Sequence, residues 1–162
     1  MEKLVLIDGH SILNRAFYGV PNLTNSEGLH TNAVYGFLNI LFKVLDEEKA
    51  DYLAVAFDLK APTFRHKMFD AYKGTRKPMP EELHEQVPLM KEVLTAMGVP
   101  ILTKEGYEAD DILGTIAKRE QKDGYEVTIL SGDRDLLQLS DTHIRICLPK
   151  TSRGTTEVHN YY

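Results

Sequence analysis

Lys3-Leu4-Val5-Leu6-Ile7-Asp8-Gly9 is a short apolar run that stops on an acid and a glycine. Its length suits a strand buried on both faces rather than a helix. Two later stretches repeat the design. Leu53-Ala54-Val55-Ala56-Phe57-Asp58 ends on an aspartate, and Val127-Thr128-Ile129-Leu130-Ser131-Gly132-Asp133 reaches one after a serine and a glycine. Strands that are apolar on both faces belong to parallel sheets covered by helices on each side.

The segments between these runs carry helical patterning. Ser11 is expected to cap a short helix reaching about Tyr18. Pro21 to His30 reads as a polar loop. From Thr31, the spacing of Val34, Phe37, Leu38, Leu41 and Leu45 predicts a long amphipathic helix. Tyr52–Phe57 is the second strand, and residues 59 to 80, with prolines at 62, 78 and 80, form a mobile or partly helical connection. Glu81–Met97 reads as a helix stopped by Gly98. A short strand over Val99–Leu102 leads to a helix from about Glu108 to Lys122, ended by Asp123-Gly124. Glu126–Leu130, His143–Cys147 and Thr156–His159 complete the strands. This alternation predicts one α/β domain over residues 1–162, with a mostly parallel sheet in three layers and helices on both faces.

Composition narrows the setting. The 162 residues fit a single domain, and 43% hydrophobic content is enough for a core. No run approaches the roughly 20 apolar residues of a membrane span. The N-terminus lacks a signal peptide's regions, and a cytoplasmic protein is expected. The single cysteine, Cys147, excludes an intramolecular disulfide or a cysteine-rich zinc site. The Asn22-Leu23-Thr24 sequon is incidental without an export signal. The net charge of −5 argues at first against a nucleic-acid partner, but the charge is unevenly spread. Lys60, Arg65, Lys67, Lys73, Arg76 and Lys77 stand against the single acid Asp70, while other acids collect around Glu108. A basic strip beside an acidic pocket suits a metal-using enzyme with a phosphate substrate.

In an open parallel sheet the carboxyl ends of the strands share one edge, where ligands bind. Asp8, Asp58 and Asp133 are therefore expected to converge there, with Gly9 and Gly132 permitting tight turns. Glu108-Ala109-Asp110-Asp111 begins a helix at the same edge, and Asp135 follows two residues after Asp133. Each acid alone reads as an ordinary turn or cap residue. Together they are harder to explain structurally. Two carboxylates about 4 Å apart repel by roughly 4 kcal/mol at an effective dielectric near 20, and a marginally stable fold holds several such pairs only with cations. Hard oxygen donors suit Mg²⁺ or Mn²⁺, and the six scattered histidines, with no HExxH spacing, do not suggest zinc. Two such ions roughly 3.5–4 Å apart point to phosphoryl chemistry. No GxSxG nucleophile or P-loop competes with that reading.

The segment Phe64-Arg65-His66-Lys67-Met68-Phe69-Asp70-Ala71-Tyr72-Lys73-Gly74-Thr75-Arg76-Lys77 interleaves aromatics with cations, as single-stranded nucleic acid requires. A snorkelling amphipathic helix is the better account of Phe64 and Met68, though it explains the density of cations less well. Lys73 and Arg76 would share one helical face and grip neighbouring phosphates. Arg15, on the helix after Asp8, reads either as a solvated surface residue or as a further contact to the same pocket.

Six motifs, in order and spanning the chain, resemble the 5′-nuclease domain family of bacterial DNA polymerase I. They are Val5-Leu6-Ile7-Asp8-Gly9-His10, Ala33-Val34-Tyr35-Gly36-Phe37, Ala56-Phe57-Asp58, Phe64-Arg65 with Tyr72-Lys73-Gly74-Thr75-Arg76, Gly106-Tyr107-Glu108-Ala109-Asp110-Asp111, and Ser131-Gly132-Asp133-Arg134-Asp135. The resemblance implies a PIN-like or resolvase-like fold and a 5′-3′ exonuclease and flap endonuclease. Its substrates would be DNA with a 5′ end or flap and RNA primer–DNA hybrids, and a polymerase domain would sit in the same parent chain. It implies two divalent ions held by Asp8, Asp58, Glu108, Asp110, Asp111, Asp133 and Asp135. Tyr72, Lys73 and Arg76 match its stacking and phosphate-gripping residues, and Arg15 a further phosphate contact. Thr75 stands where the family usually has asparagine. The family continues into two more metal ligands and a helix–three-turn–helix, so a longer parent protein is expected, with one metal site of this chain strong and the second weak. A PIN-domain ribonuclease, a flavodoxin-like receiver module and a non-catalytic DNA-end-binding fragment are the alternatives. A receiver needs only about three acids, and a PIN ribonuclease normally lacks the long basic strip.

Overall fold

A computed structural model describes residues 1–21, 23–58, 80–152 and 155–161, the backbone alone from residue 150 onward. The basic strip, including Tyr72, Lys73 and Arg76, lies outside the described residues. The described elements run β1 (Lys3–Asp8), α1 (Gly9–Gly19), α2 (Asn32–Glu48), β2 (Tyr52–Ala56), α3 (Glu81–His84), α4 (Gln86–Ala96), β3 (Ile101–Leu102), α5 (Ala109–Lys122), β4 (Glu126–Leu130), a 3-10 helix (Arg134–Leu139), β5 (Ile144–Ser152) and β6 (Thr155–Tyr161).

The sheet order is β3-β2-β1-β4-β5-β6. The first five strands are parallel, and β6 returns antiparallel to β5 as a hairpin. Side chains alternate across the sheet as strand geometry demands. Val5, Ile7, Val55 and Phe57 join α1, α2 and α4 in one core, whereas Leu6, Ala54, Ala56 and Ile129 join α5 in the other. The three layers are those expected from the sequence. From β1 the chain steps outward through β2 to β3, then returns to the other side of β1 to lay down β4. The gap between β1 and β4 is thus the topological switch point, where such sheets open a crevice at the strands' carboxyl ends.

Local chemistry departs from the sequence reading in instructive ways. Asp8, not Ser11, caps α1: its carboxylate accepts from the Ser11 amide at 3.5 Å. Ser11 is thereby released for work at the crevice. Gly9 is not needed for a turn, since its φ is not positive. A Cβ there would stand 2.6 Å from the Phe57 ring, so close packing excludes a side chain. Gly132 likewise keeps a negative φ, and a Cβ would lie 3.0 Å from Ser11 Oγ. The helix expected over 81–97 is two helices meeting at Glu85. Gln86 is fully buried there because its side-chain carbonyl accepts from the Ala33 and Val34 amides at 2.8 and 3.2 Å, which caps α2 from another helix. Its amide donates to Asn32 Oδ1 at 2.9 Å, and Asn32 in turn donates to the Phe17 and Val20 carbonyls. One polar chain thus fixes three helices. The strand expected over 99–102 covers only Ile101–Leu102, and the 3-10 turn after β4 was not foreseen. Gly98 and Gly124 follow α4 and α5 at φ of +77° and +92°, as helix stops do.

Candidate metal centre

Strand register brings the acids to one rim. Asp8 ends β1 opposite Ala56 of β2, so Asp58 lies two residues beyond. Ile7 pairs with Leu130 of β4, and Ser131-Gly132-Asp133 continue past it. The first turn of α5 arrives from the far side. Glu108 is its N-cap residue, and Asp110 and Asp111 occupy its first turn, where the helix dipole favours negative charge. The Glu108 amide donates to Asp111 Oδ2 at 3.1 Å, and the Asp111 amide to Asp110 Oδ1 at 3.0 Å. Asp58 Oδ1 accepts from the Ala109 amide at 2.6 Å, which ties the end of β2 to the start of α5.

Carboxylate oxygens of Glu108, Asp110 and Asp111 all lie within 4.8 Å of one another. Asp8 faces this trio from β1. Only 8% of it is exposed, and its pKa is pushed up to about 6. Burial is the largest cause; like-charge repulsion from Asp58 and Asp110 adds to it, while hydrogen bonds from Ser131 and Ser11 oppose it. Asp8 therefore feels the charges of both Asp58 and Asp110. The donors are all hard carboxylate oxygens close enough to share one ion, so the residues fit a hard divalent cation. Among the described residues, no histidine or cysteine joins the group.

Asp133 and Asp135 join differently. Asp133 accepts from the Asp135 amide at 2.9 Å and so begins the 3-10 turn, while Asp135 is exposed. Neither belongs to the tight trio. Their link to Asp8 runs through Ser131, which sequence reading quoted but gave no role. Its fully buried hydroxyl donates to Asp8 Oδ2 at 3.0 Å and accepts from the Asp133 amide at 3.0 Å. The Ser11 hydroxyl, 3.3 Å from that of Ser131, accepts from the Gly132 amide at 2.7 Å. A serine between a strand end and Gly-Asp was the available signal. Arg15 lies on the α1 side of this loop, lining a cavity with Ser11, Asn14, Tyr18 and Gly132. Phe57 aims the chain into Asp58: its ring abuts Gly9, meets His10 edge-on at 5.2 Å and carries Lys91 Nζ 5.2 Å from its centroid.

DNA polymerase I of Bacillus caldotenax is 49% identical to the chain over 160 residues, covering 99% of this chain and 18% of that protein. DNA polymerase I of Bacillus subtilis (strain 168) is also 49% identical over 160 residues, with the same coverage. The chain thus spans 18% of the length of these curated relatives. Among solved structures, the T5 5′-exonuclease with bound divalent zinc ions superposes at a TM-score of 0.68 and 24% identity, covering 90% of this chain and 54% of that one. At that identity the likeness speaks for the fold alone, and the fold is the PIN-like one expected. The family description "5′-3′ exonuclease, N-terminal resolvase-like domain" matches residues 3–162, and the chain belongs to that family.

Proposed function

We propose that this domain hydrolyses phosphodiester bonds at 5′ ends and 5′ flaps of DNA, and in RNA primers paired to DNA, using two divalent cations, Mg²⁺ or Mn²⁺. The observation that carries the reading is the electrostatic coupling of Asp8 to Asp58 and Asp110 beside the Glu108–Asp110–Asp111 trio. Like charges gathered at a switch-point crevice ask for an external cation. When bound, divalent ions lower the pKa of attacking water and offset charge on the leaving oxygen.

The chain's own residues do the rest. Asp8, Asp58, Glu108, Asp110 and Asp111 would hold the ions, with Asp133 and Asp135 extending the set toward β4. Ser131 holds Asp8 and the Asp133 backbone in fixed relation. Arg15 would contact substrate phosphate from the α1 side, and Tyr72, Lys73 and Arg76 would stack on and grip the strand from the basic strip. A polymerase domain in the same parent protein and a cytoplasmic setting fit the named relatives. Among the described residues, no helix is long and apolar enough to cross a membrane. A receiver-like signalling role needs fewer acids than this rim gathers, and family membership favours the nuclease.

The test is cleavage of a 5′-flap DNA by the natural full-length protein with Mg²⁺, lost in Asp110→Ala. Equal cleavage in excess EDTA would sink the mechanism.

A further inference from the structure

A second cavity, of about 510 Å³, lies on the opposite side of the acid trio from Arg15, between the β3 edge and α5. Its α5 wall presents Asp111, Ile112, Ile116 and Arg119, a single helix face about 12 Å long at 1.5 Å per residue. Leu102 from β3, with Ile112 and Ile116, makes an apolar floor that the core leaves half-buried. Tyr107 and Lys104 form the lip, with Lys104 Nζ 4.9 Å from the ring centroid. Asp111 belongs to both the groove and the trio, so the two are continuous.

We propose that this groove receives an unpaired nucleotide of the flap strand, on the side of the scissile phosphate away from Arg15. This rests on the nuclease reading above. The chemistry of the lining selects the occupant. An apolar floor beside an aromatic ring accepts the flat face of a base. A base against Tyr107 brings its own phosphate within reach of the Lys104 ammonium group, and Arg119 lies where the strand would run on along α5. A purely apolar ligand would make no use of the Lys104 ammonium group, and a bare anion would make no use of the floor; Arg119, held by Glu120 at 3.0 Å, is the further cation of the α5 wall. The strand enters from the metal end because Asp111 marks that end.

The test uses the natural full-length protein and 5′-flap DNA in which the base of each of the first flap nucleotides beside the scissile phosphate is removed in turn. Cleavage is followed under single-turnover conditions at subsaturating protein. The wild type is expected to lose about fivefold or more when one of these bases is absent, the low end of what stacking on an aromatic side chain contributes. Tyr107→Ala is expected to be slowed on the intact flap and to be indifferent to removal of that same base. Tyr107→Phe, which keeps the ring, retains the wild-type sensitivity. Equal sensitivity of wild type and Tyr107→Ala at every position, or none in the wild type, overturns the groove's role while leaving the nuclease intact. Absence of metal-dependent cleavage by the wild type instead overturns the nuclease reading, and the groove's with it.

Discussion

Asp8 and Glu48 are both buried carboxylates at the sheet, 8% and 3% exposed, but their surroundings differ in kind. Glu48, at the end of α2, accepts from Arg145 Nη2 at 2.5 and 2.7 Å and from Thr128 Oγ1 at 3.1 Å, with Lys3 Nζ at 3.9 Å. It is a carboxylate whose counter-charge the chain supplies. Asp8, at the carboxyl end of β1, has a serine hydroxyl and a backbone amide, and the charges it feels most are Asp58 and Asp110. Among the described residues, no cation stands at ion-pair distance from it. The amino-terminal half of the sheet thus satisfies its buried acid internally, and the carboxyl end sets its own beside like charges. The first arrangement is closed on itself, so removing either partner strands a buried charge; the second is the one on which the proposed metal binding would draw.

The largest effect expected from breaking this contrast is at Asp8. With Asp8→Asn, cleavage of flap DNA should fall about a thousandfold or more, since metal stabilisation of several kcal/mol converts at 1.36 kcal/mol per tenfold. The metal-free fold should respond in the opposite sense. Burial lifts the Asp8 pKa from 3.8 to about 6, so its ionised form is penalised in the folded state. The stability its carboxyl contributes is whole below 3.8 and is lost as pH rises through about 6. The metal-free wild type should accordingly be less stable at about pH 7.5 than this group alone would allow at about pH 4, by on the order of 2–3 kcal/mol. Denaturant melts in EDTA should show Asp8→Asn more stable than wild type at the higher pH, and Mn²⁺ in place of EDTA should stabilise the wild type more than the variant. A lower stability of Asp8→Asn at both pH values would refute the account.

Glu48→Ala should do the reverse. Removing the buried partner of Arg145 should cost about 3 kcal/mol, toward the low end for a broken buried pair because Arg145 is half exposed. The Mn²⁺-induced gain in stability should be unchanged. Equal damage to metal binding would show that the two ends are coupled, contrary to the comparison.

Ser131→Ala tests the link within the metal end. Losing the hydroxyl leaves Asp8 and the Asp133 amide without their shared partner. Groups that orient metal ligands typically contribute about 10- to 100-fold in affinity. Isothermal titration with Mn²⁺ should show a loss of that size, with Ser131→Thr recovering part of it. An unchanged affinity would make Ser131 a core residue only.

The parts of this arrangement that sequence could reveal are those written in one stretch of chain. An apolar run ending in an acid is legible because the strand and its terminal charge are contiguous, which is why β1, β2, β4 and the acids at their ends were foreseen. Asp110 and Asp111 were legible for a similar reason, since they fall in the first turn of a well-patterned helix. The capping by Gln86 of a helix that begins 54 residues earlier was not, because its cause is a buried contact between distant segments. The same holds for Glu48, whose partners Thr128 and Arg145 lie 80 and 97 residues away. Ser11 misled because its spacing suits an N-cap, yet Asp8 sits closer to the helix start and the serine is drawn to Gly132 instead. Carboxylates were thus visible one by one, whereas the hydroxyls that space them appear only when β1, α1 and β4 meet.

The smallest effect is expected at Asp135, and it sharpens the contrast at its outer limit. Asp135 is an acid of the same end of the sheet, but it is exposed, and its position is set by its own amide donating to Asp133 Oδ1. A substitution at an exposed surface position changes stability little, and Asp135→Asn should leave metal-free stability within about 0.5 kcal/mol of wild type. Its carboxylate stands outside the Glu108–Asp110–Asp111 trio, so the tighter Mn²⁺ site should also survive the change. If Asp135 contributes to a second, weaker ion, only that later phase of a calorimetric titration should weaken, by less than about tenfold, well short of the Asp8 and Ser131 effects. The two-ion reading predicts biphasic binding in which the two variants act on different phases. A single phase affected by both would mean that Asp8 and Asp135 share one ion, and the division of the rim into a tight trio and an outer pair would have to be abandoned.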